Sequence, residues 1–228
     1  MSGAETRWLV LRLSAPMMSF GAVAIDQVGP TARWPGASML TGLLGNALGW
    51  DWDDRAAHQA LQDRLRFGAV TLREGEVLTD TQNAQLGKAD RGWTTRGMPE
   101  GRTGASYDAP HRRRRDYLVD ASLLVVLRLD PEDAHPTLDE TAAALDHPAR
   151  PIFLGRKPCL PTQPLNAGEV RGANVHDALG ALDGDGPRLA AWPLGEGPNG
   201  TRTMDVADRR VWSSGLHGGT RIIVEGWV

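Results

Sequence analysis

Residues 117–129, Tyr-Leu-Val-Asp-Ala-Ser-Leu-Leu-Val-Val-Leu-Arg-Leu, contain the longest apolar run of the chain, from Leu123 to Leu127. Leucine and β-branched residues in a short run predict a buried β-strand. The run is far shorter than the ~18 apolar residues that a membrane helix needs. We therefore predict a strand here, the strongest in the chain, and a soluble protein.

Other strand and helix patterns surround this segment. Residues 7–14 alternate between apolar and polar side chains, which predicts a half-buried first strand. The segments before and after Glu74-Gly75 predict a strand pair. The predicted strands are residues 7–14, 66–72, 77–79, 117–129, 151–157 and 221–228. Three helices are predicted. The first begins near Ser38, a candidate N-cap, and the other two cover residues 53–65 and 137–145.

The order β-α-β-β-α-β predicts an α+β, ferredoxin-like or RRM-like fold with helices on one face of a sheet. We expect this domain over residues 1–160. Residues 161–228, rich in Gly and Pro, are expected to form a loop-rich C-terminal extension packed on the same domain.

Composition excludes several classes of function. The single cysteine, Cys159, excludes an internal disulfide and a Cys-rich zinc site. Residues 195–200 fit G-x-G-x-x-G, but Pro198 lies inside and no strong helix pattern follows. We find no P-loop, H-E-x-x-H or G-x-S-x-G motif, and we expect no cofactor or metal. The first seven residues carry no apolar signal region, so we predict a cytoplasmic protein.

Three glycines mark one face of the first predicted helix. Gly42, Gly45 and Gly49 lie at i, i+3 and i+7, and each costs roughly 1 kcal/mol relative to alanine in a helix. Something must therefore approach this face closely. A neighbouring strand and a ligand backbone both remain open.

Charge is distributed unevenly along a chain whose net charge is −3. Residues 88–115 hold eight basic and three acidic residues, whereas residues 130–186 hold four basic and ten acidic ones. The basic part coincides with a long predicted loop, residues 82–111, which includes Trp93 and Tyr107. A basic arm with aromatic residues is typical of single-stranded nucleic-acid binding, but four consecutive arginines also fit a plain solvated run.

Four segments together resemble the CasD family of type I-E CRISPR Cascade subunits, which are RAMP proteins. Residues 11–21 resemble its "LxGPMQSWG" start, and residues 30–49 its "PTxxxPTKSGLLGLLGAALG" segment, while residues 115–122 and 151–159 resemble two later blocks. The chain departs from the pattern at Met18, where the family usually has Gln. It departs again at Gly36-Ala37, which replaces a more basic or hydroxylic pair.

The resemblance implies a non-catalytic subunit that binds and caps the 5′ handle of the CRISPR RNA. It also implies contact with the adjacent backbone RAMP subunit and the large PAM-reading subunit, an indirect relation to target DNA, and no membrane. Residues 82–115 would be the projecting thumb insertion. The N–H groups of the helix that begins at Ser38 would receive a phosphate. The implied RNA-binding residues are Met17, Ser19, Phe20, Gly21, Arg33, Ser38, Thr41, Gly42, Gly45, Arg112, Arg113, Arg114, Arg115, Tyr117, Arg156 and Lys157.

Two other classes of function remain open. A metal-independent endoribonuclease for CRISPR repeat RNA needs only a base, an acid and a cation, which His111, Tyr117 and the intervening arginines would supply. A related type I-C branch cleaves repeat RNA with a Tyr, Lys and His set, whereas this chain has no Lys-His pair. A protein-only adaptor would assemble without RNA.

Overall fold

The computed structural model of the chain describes residues 5–85 and 110–228. Within this part the helices and strands follow one another in the following order. They are β1 (Thr6–Ser14), β2 (Met17–Met18), β3 (Val28–Gly29), α1 (Ala37–Ala47), α2 (Arg55–Arg64), β4 (Leu65–Arg73), β5 (Glu76–Ala84), β6 (His111–Val119), β7 (Ser122–Leu129), α3 (Leu138–Asp146), β8 (Asn166–Gly172), α4 (Val175–Gly180), β9 (Leu189–Pro193), β10 (Arg202–Val206), β11 (Arg210–Val211), β12 (Leu216–His217) and β13 (Arg221–Trp227).

In the described part of the chain, seven antiparallel strands form the main sheet, in the order β10-β13-β9-β4-β7-β1-β8. Strand β7, which contains the apolar run, lies beside β1 and pairs Val126 with Val10. The α+β class predicted from the sequence is confirmed.

Both faces of the main sheet are covered. Leu9, Leu11 and Leu13 of β1 belong to the larger core, which also includes apolar residues of α1. Trp8 and Val10 point the other way, into a second core with residues of α4. The prediction that β1 is half-buried was wrong for residues 8–11, because α4 covers the second face.

A smaller sheet has β6 at its centre. Strand β6 pairs with β5 over nine positions, from Glu76↔Val119 to Ala84↔His111, and its other edge carries β2 and β3. The ends of the predicted loop 82–111 are therefore strand. Residues 86–109, the rest of that loop and most of the predicted thumb, lie outside the described residues.

Two predicted strand assignments were wrong because the chain passes from one sheet to the other. Strands β4 and β5 do not pair with each other, since Gly75, at φ 72°, turns the chain from the main sheet into the small one. Residues 117–129 form two strands instead of one, because Asp120, at φ 56°, makes the matching turn back. A Cβ on Gly75 would lie 2.3 Å from the Val119 carbonyl oxygen, so the two turns touch.

The predicted strand at 151–157 was also wrong, since these residues form a loop held by Leu154. Its N–H donates to the Cys159 carbonyl (2.8 Å), and its carbonyl accepts from the Ser19 N–H (3.0 Å). The position beside β1 is taken by β8 instead.

The predicted helix at 137–145 is confirmed, with Thr137 and Glu140 forming a capping box. Helix α1 is also confirmed, but Gly36 is its N-cap and Ser38 lies inside the helix.

Candidate nucleic-acid interface

A cavity of about 410 Å³ opens beside α1. Its walls are α1, the loop after β2, the loop around Gly155, and the β11–β12 hairpin. The lining residues are Ser19, Phe20, Gly21, Ser38, Met39, Gly42, Leu43, Asn46, Phe153, Gly155, Arg156, Arg210, Trp212 and His217. Gly155 lets two of these walls meet, because a Cβ there would lie 1.6 Å from the Ser19 carbonyl oxygen.

The cavity brings together a minority of the residues predicted from the sequence. These are Ser19, Phe20, Gly21, Ser38, Gly42 and Arg156. Sequence reasoning missed Arg210, Trp212 and His217, which lie in a segment to which it gave no role. The local signal that pointed to them is the pair Arg209 and Arg210 beside Trp212, a small basic and aromatic cluster.

The N-terminus of α1 is already occupied by an aspartate of the same chain. Asp208 accepts the Ala37 N–H with its Oδ2 atom (3.1 Å), and the Ser38 N–H with its carbonyl oxygen (2.8 Å). Arg221 donates to the same Oδ2 atom (2.8 Å). Burial lowers the pKa of Arg221, and the charge of Asp208 opposes that shift. These two N–H groups are therefore not free to receive a phosphate.

The glycine face of α1 has two different neighbours. A Cβ on Gly45 would lie 2.6 Å from Nε2 of His58, so the element that approaches closely here is helix α2. At Gly42 the nearest atom is Cη2 of Trp212, at 3.8 Å, and this glycine faces the cavity. Thr41 is fully buried and donates to the Ala37 carbonyl (2.8 Å), so its side chain is not available to a ligand.

The four arginines predicted to bind RNA occupy consecutive positions of β6. Successive side chains of a strand point to opposite faces, so Arg113 and Arg115 share one face and Arg112 and Arg114 share the other. Arg112, Arg113 and Arg114 are exposed, and Arg115 is half-buried. The run is therefore two pairs of cations on opposite faces.

Arg156 joins the cavity to the small sheet. It donates to the carbonyls of Asp116 (2.9 Å) and Gly29 (2.8 Å), and its guanidinium carbon lies 4.9 Å from the ring centre of Tyr117. Both arginines approach Gly29: a Cβ added to Gly29 would lie 2.8 Å from a nitrogen of Arg115 and 3.0 Å from a nitrogen of Arg156. The face of β6 that carries Arg113 and Arg115 is thus the face nearest the cavity.

The remaining predicted residues lie apart from the cavity lining. Tyr117 is buried, Met17 is half-buried on β2, and Lys157 is exposed. Arg33 is exposed and forms an ion pair with Glu74 (2.6 Å).

The described residues contain neither a metal-binding cluster nor a membrane helix. No group of three His, Cys, Asp or Glu side chains in residues 5–85 and 110–228 is arranged to hold an ion. No helix in the same ranges is long and apolar enough to cross a membrane. Burial raises the pKa of the Cys159 thiol, which disfavours a reactive thiolate.

Comparison with known proteins agrees with the resemblance of the four sequence segments. The chain is 33% identical over 172 residues to the CRISPR system Cascade subunit CasD of Escherichia coli (strain K12). The aligned region covers 75% of each protein. Its fold is similar to a chain of a CRISPR RNA-guided surveillance complex, with a TM-score of 0.70, 23% identity, and coverage of 97% of this chain and 90% of that one. It is also similar to a crystal structure of a Cas protein, with a TM-score of 0.62, 23% identity, and coverage of 97% and 94%.

The family match extends over almost the whole chain. The model of the family described as CRISPR-associated protein (Cas_Cas5) matches residues 8–224, which include both sheets and the cavity. The resemblance to CasD-type proteins is therefore confirmed, and the chain belongs to the Cas5 family of CRISPR-associated proteins.

Proposed function

We propose that this chain is a non-catalytic subunit of a type I-E Cascade complex that binds and caps the 5′ handle of the CRISPR RNA. The observation that carries this proposal is the cavity beside α1, which combines aromatic and cationic side chains and adjoins the arginine strand β6. Single-stranded RNA is bound mainly by stacking on aromatic rings and by phosphate contacts to cations. Phe153 and Trp212 supply the first kind of group, and Arg210 in the cavity wall and Arg115 on the adjoining strand β6 supply the second.

The proposed architecture is that of a RAMP protein. Strands β4-β7-β1-β8 lie in the order expected for a ferredoxin-like unit, with α1 and α2 before β4 and α3 before β8. The paired strands β5 and β6 would form the base of the thumb. This thumb would contact the backbone subunit and the RNA, and the large PAM-reading subunit would lie nearby in the cytoplasmic complex.

A repeat-cleaving endoribonuclease is disfavoured by the positions of its candidate residues. His111 begins strand β6 and Tyr117 lies six residues further along it, which separates their Cα atoms by roughly 20 Å. Tyr117 is also buried beneath Arg156. These two side chains do not meet at one phosphate, as an acid and a base must.

The test is to tag the protein in its own host, isolate it gently, and sequence the 5′ ends of any bound RNA. A single repeat-derived 5′ end, together with Cascade subunits identified by mass spectrometry, is the expected result. Heterogeneous RNA would contradict handle binding. A complex that never carried RNA, and is unchanged by RNase, would identify a protein-only adaptor.

A further inference from the structure

We infer that Arg210 binds a phosphate of one single-stranded RNA nucleotide, whose base enters the cavity lined by Phe153 and Trp212. This inference rests on the proposed RNA-binding function and assigns a contact residue to a C-terminal hairpin that the sequence left without a role. Four observations support it, namely the anchoring of the hairpin, the packing of its side chains, the unpaired state of Arg210, and the size of the cavity.

The backbone of the hairpin is anchored on helix α2. Gln62 donates to the Arg210 carbonyl (2.9 Å) and accepts the Arg210 N–H (3.0 Å), as a neighbouring β-strand would. Gln59 accepts the Trp212 N–H (3.1 Å), and Arg55 donates to the Ser213 carbonyl (2.8 Å). Because the main chain is held at Arg210, Trp212 and Ser213, the directions in which the Arg210 and Trp212 side chains leave it are fixed.

Two of these side chains pack against each other in the cavity wall. The Trp212 ring stacks on the buried His58 ring, with centroids 4.4 Å apart and planes inclined by 22°. The guanidinium carbon of Arg210 lies 5.0 Å from the Trp212 ring centre. A guanidinium held beside an indole is pre-organised, so less side-chain entropy is lost when it binds an anion.

Arg210 has a donor without an acceptor. Its Nε atom is buried and has no hydrogen-bond partner within residues 5–85 and 110–228, and no ion pair of Arg210 is found in those ranges. Arg156, the other cavity arginine, is occupied by two carbonyls. Because Nε is shielded from solvent, the donors open to a ligand are the two terminal nitrogens of Arg210, which also have no hydrogen-bond partner in the same ranges, and a phosphate accepts both in one bidentate contact.

The cavity also has a suitable size. Its volume of about 410 Å³ falls within the ~300–1,000 Å³ range of small-ligand sites. The lining residues within 5–85 and 110–228 include two polar groups on α1, Ser38 and Asn46, and no carboxylate that would repel a phosphate.

The experiment measures binding of the full chain to a single-stranded RNA oligonucleotide that carries the repeat-derived handle. Arg210→Ala is expected to weaken affinity about tenfold or more, as loss of a charge-assisted hydrogen bond does. It should also reduce the slope of log affinity against log salt by about 0.7, the value for one phosphate on a single strand. Arg210→Lys should bind between the two, because it keeps the charge and lacks the planar fork.

Arg171→Ala is the matched control. It also removes one arginine, from an exposed position on β8. Arg171 pairs with Arg7 at the start of β1, whereas the cavity adjoins the loops beyond the other end of β1. This variant should bind RNA like the wild type. Unchanged thermal unfolding of both variants would show that the fold is intact.

Photocrosslinking of the same oligonucleotide carrying 4-thiouridine gives an independent result. We expect an adduct on the tryptic peptide 211–221, which contains Trp212 and His217. This inference alone would be overturned if the wild type binds the oligonucleotide, Arg210→Ala binds it with the same affinity, and the adducts form on other peptides. A wild-type chain that does not bind the oligonucleotide would overturn it together with the proposed function.

Discussion

Asp208 is the residue on which the N-terminus of α1 depends. Its side chain and carbonyl accept two N–H groups of the first helical turn, and its carboxylate pairs with Arg221. Both side chains are less than a fifth exposed, at 15% for Asp208 and 18% for Arg221. A buried arginine that loses its partner is strongly destabilising.

Asp208→Ala should therefore lower the free energy of unfolding by about 3 kcal/mol, since it removes a helix cap and leaves Arg221 unpaired. Urea unfolding measures this change. Asp205→Ala, at an exposed position on the neighbouring strand β10, is the control and should change stability by less than about 0.5 kcal/mol. Equal losses in the two variants would contradict the role of Asp208.

Two glycines of α1 should respond to alanine in opposite directions. At Gly45 a methyl group would press against His58, which is held by Trp50, Trp212 and a 2.8 Å contact between its Nδ1 and the Asp54 carbonyl. Overpacking should outweigh the gain in helix propensity, so that Gly45→Ala destabilises by about 1 kcal/mol.

Gly42→Ala is the matched comparison, because its methyl group would meet only Trp212 at an ordinary contact distance. It should stabilise the protein by up to about 1 kcal/mol. Thermal unfolding of both variants checks the pair, and stabilisation by Gly45→Ala would show that His58 is free to move.

At the scale of an element, strand β6 distributes its four consecutive arginines as one pair on each of its two faces. Arg113 and Arg115 lie on the face nearest the cavity, opposite Gln82 and Asp80 of β5. Arg112 and Arg114 lie on the reverse face, opposite Asn83 and Thr81. The alternation of a strand thus makes each pair a matched control for the other.

The double variant Arg113→Ala, Arg115→Ala should weaken RNA binding and reduce the salt slope by about 1.4, as expected for two phosphates. The reverse pair, Arg112→Ala with Arg114→Ala, should have a smaller effect on both quantities. Titration of a fluorescent handle RNA at several salt concentrations measures them. The same loss in both variants would show that RNA wraps both faces.

Helix α3 gives the protein a pH-dependent element. The Thr137 N–H donates to Glu140 (2.7 Å), and His135 contacts the same carboxylate (2.9 Å), so the pKa of Glu140 is held below 4.5, its usual value. A carboxyl with a lowered pKa stabilises the fold above its unfolded pKa, and this contribution is lost as the pH falls through the folded value.

Glu140→Gln should therefore be less stable than the wild type near pH 7, with the difference shrinking as the pH falls below 4.5. Urea unfolding at several pH values tests this expectation. Glu132→Gln, at an exposed site just before the helix, should show no such pH-dependent difference.

At the scale of the whole molecule, residues beyond 160 complete the main sheet on both edges. They supply β8 beside β1, and β9, β13 and β10 beside β4. They also supply α4, whose Val175, Ala178 and Leu179 cover Trp8 and Val10. The interior of the sheet is therefore built from both parts of the chain.

A chain truncated after residue 160 should lose its cooperative unfolding transition, because one face of β1, β4 and β7 would be exposed to water. Circular dichroism during urea unfolding measures this, with the full chain as reference. A cooperative transition in the truncated chain would show instead that residues 1–160 fold alone.

The sequence by itself determined the elements whose signals are local. Apolar patterns predicted β1, β7 and β13, and the Thr137–Glu140 capping box lies where α3 begins. These elements could be predicted without long-range information, since propensity, periodicity and capping act within a few residues. The sequence also sufficed to identify the family, because the four segments that resemble it are short and continuous.

Only the tertiary structure decided which elements meet. The turns at Gly75 and Asp120 divide two strand patterns between two sheets, and periodicity carries no information on which sheet a strand joins. Asp208 and Arg210 act on α1 and its cavity from more than 160 residues along the chain, through contacts that depend on β13 and α2 being in place. No local pattern links residues at such a distance to α1, and for that reason Arg210, Trp212 and His217 could not be assigned to the cavity wall.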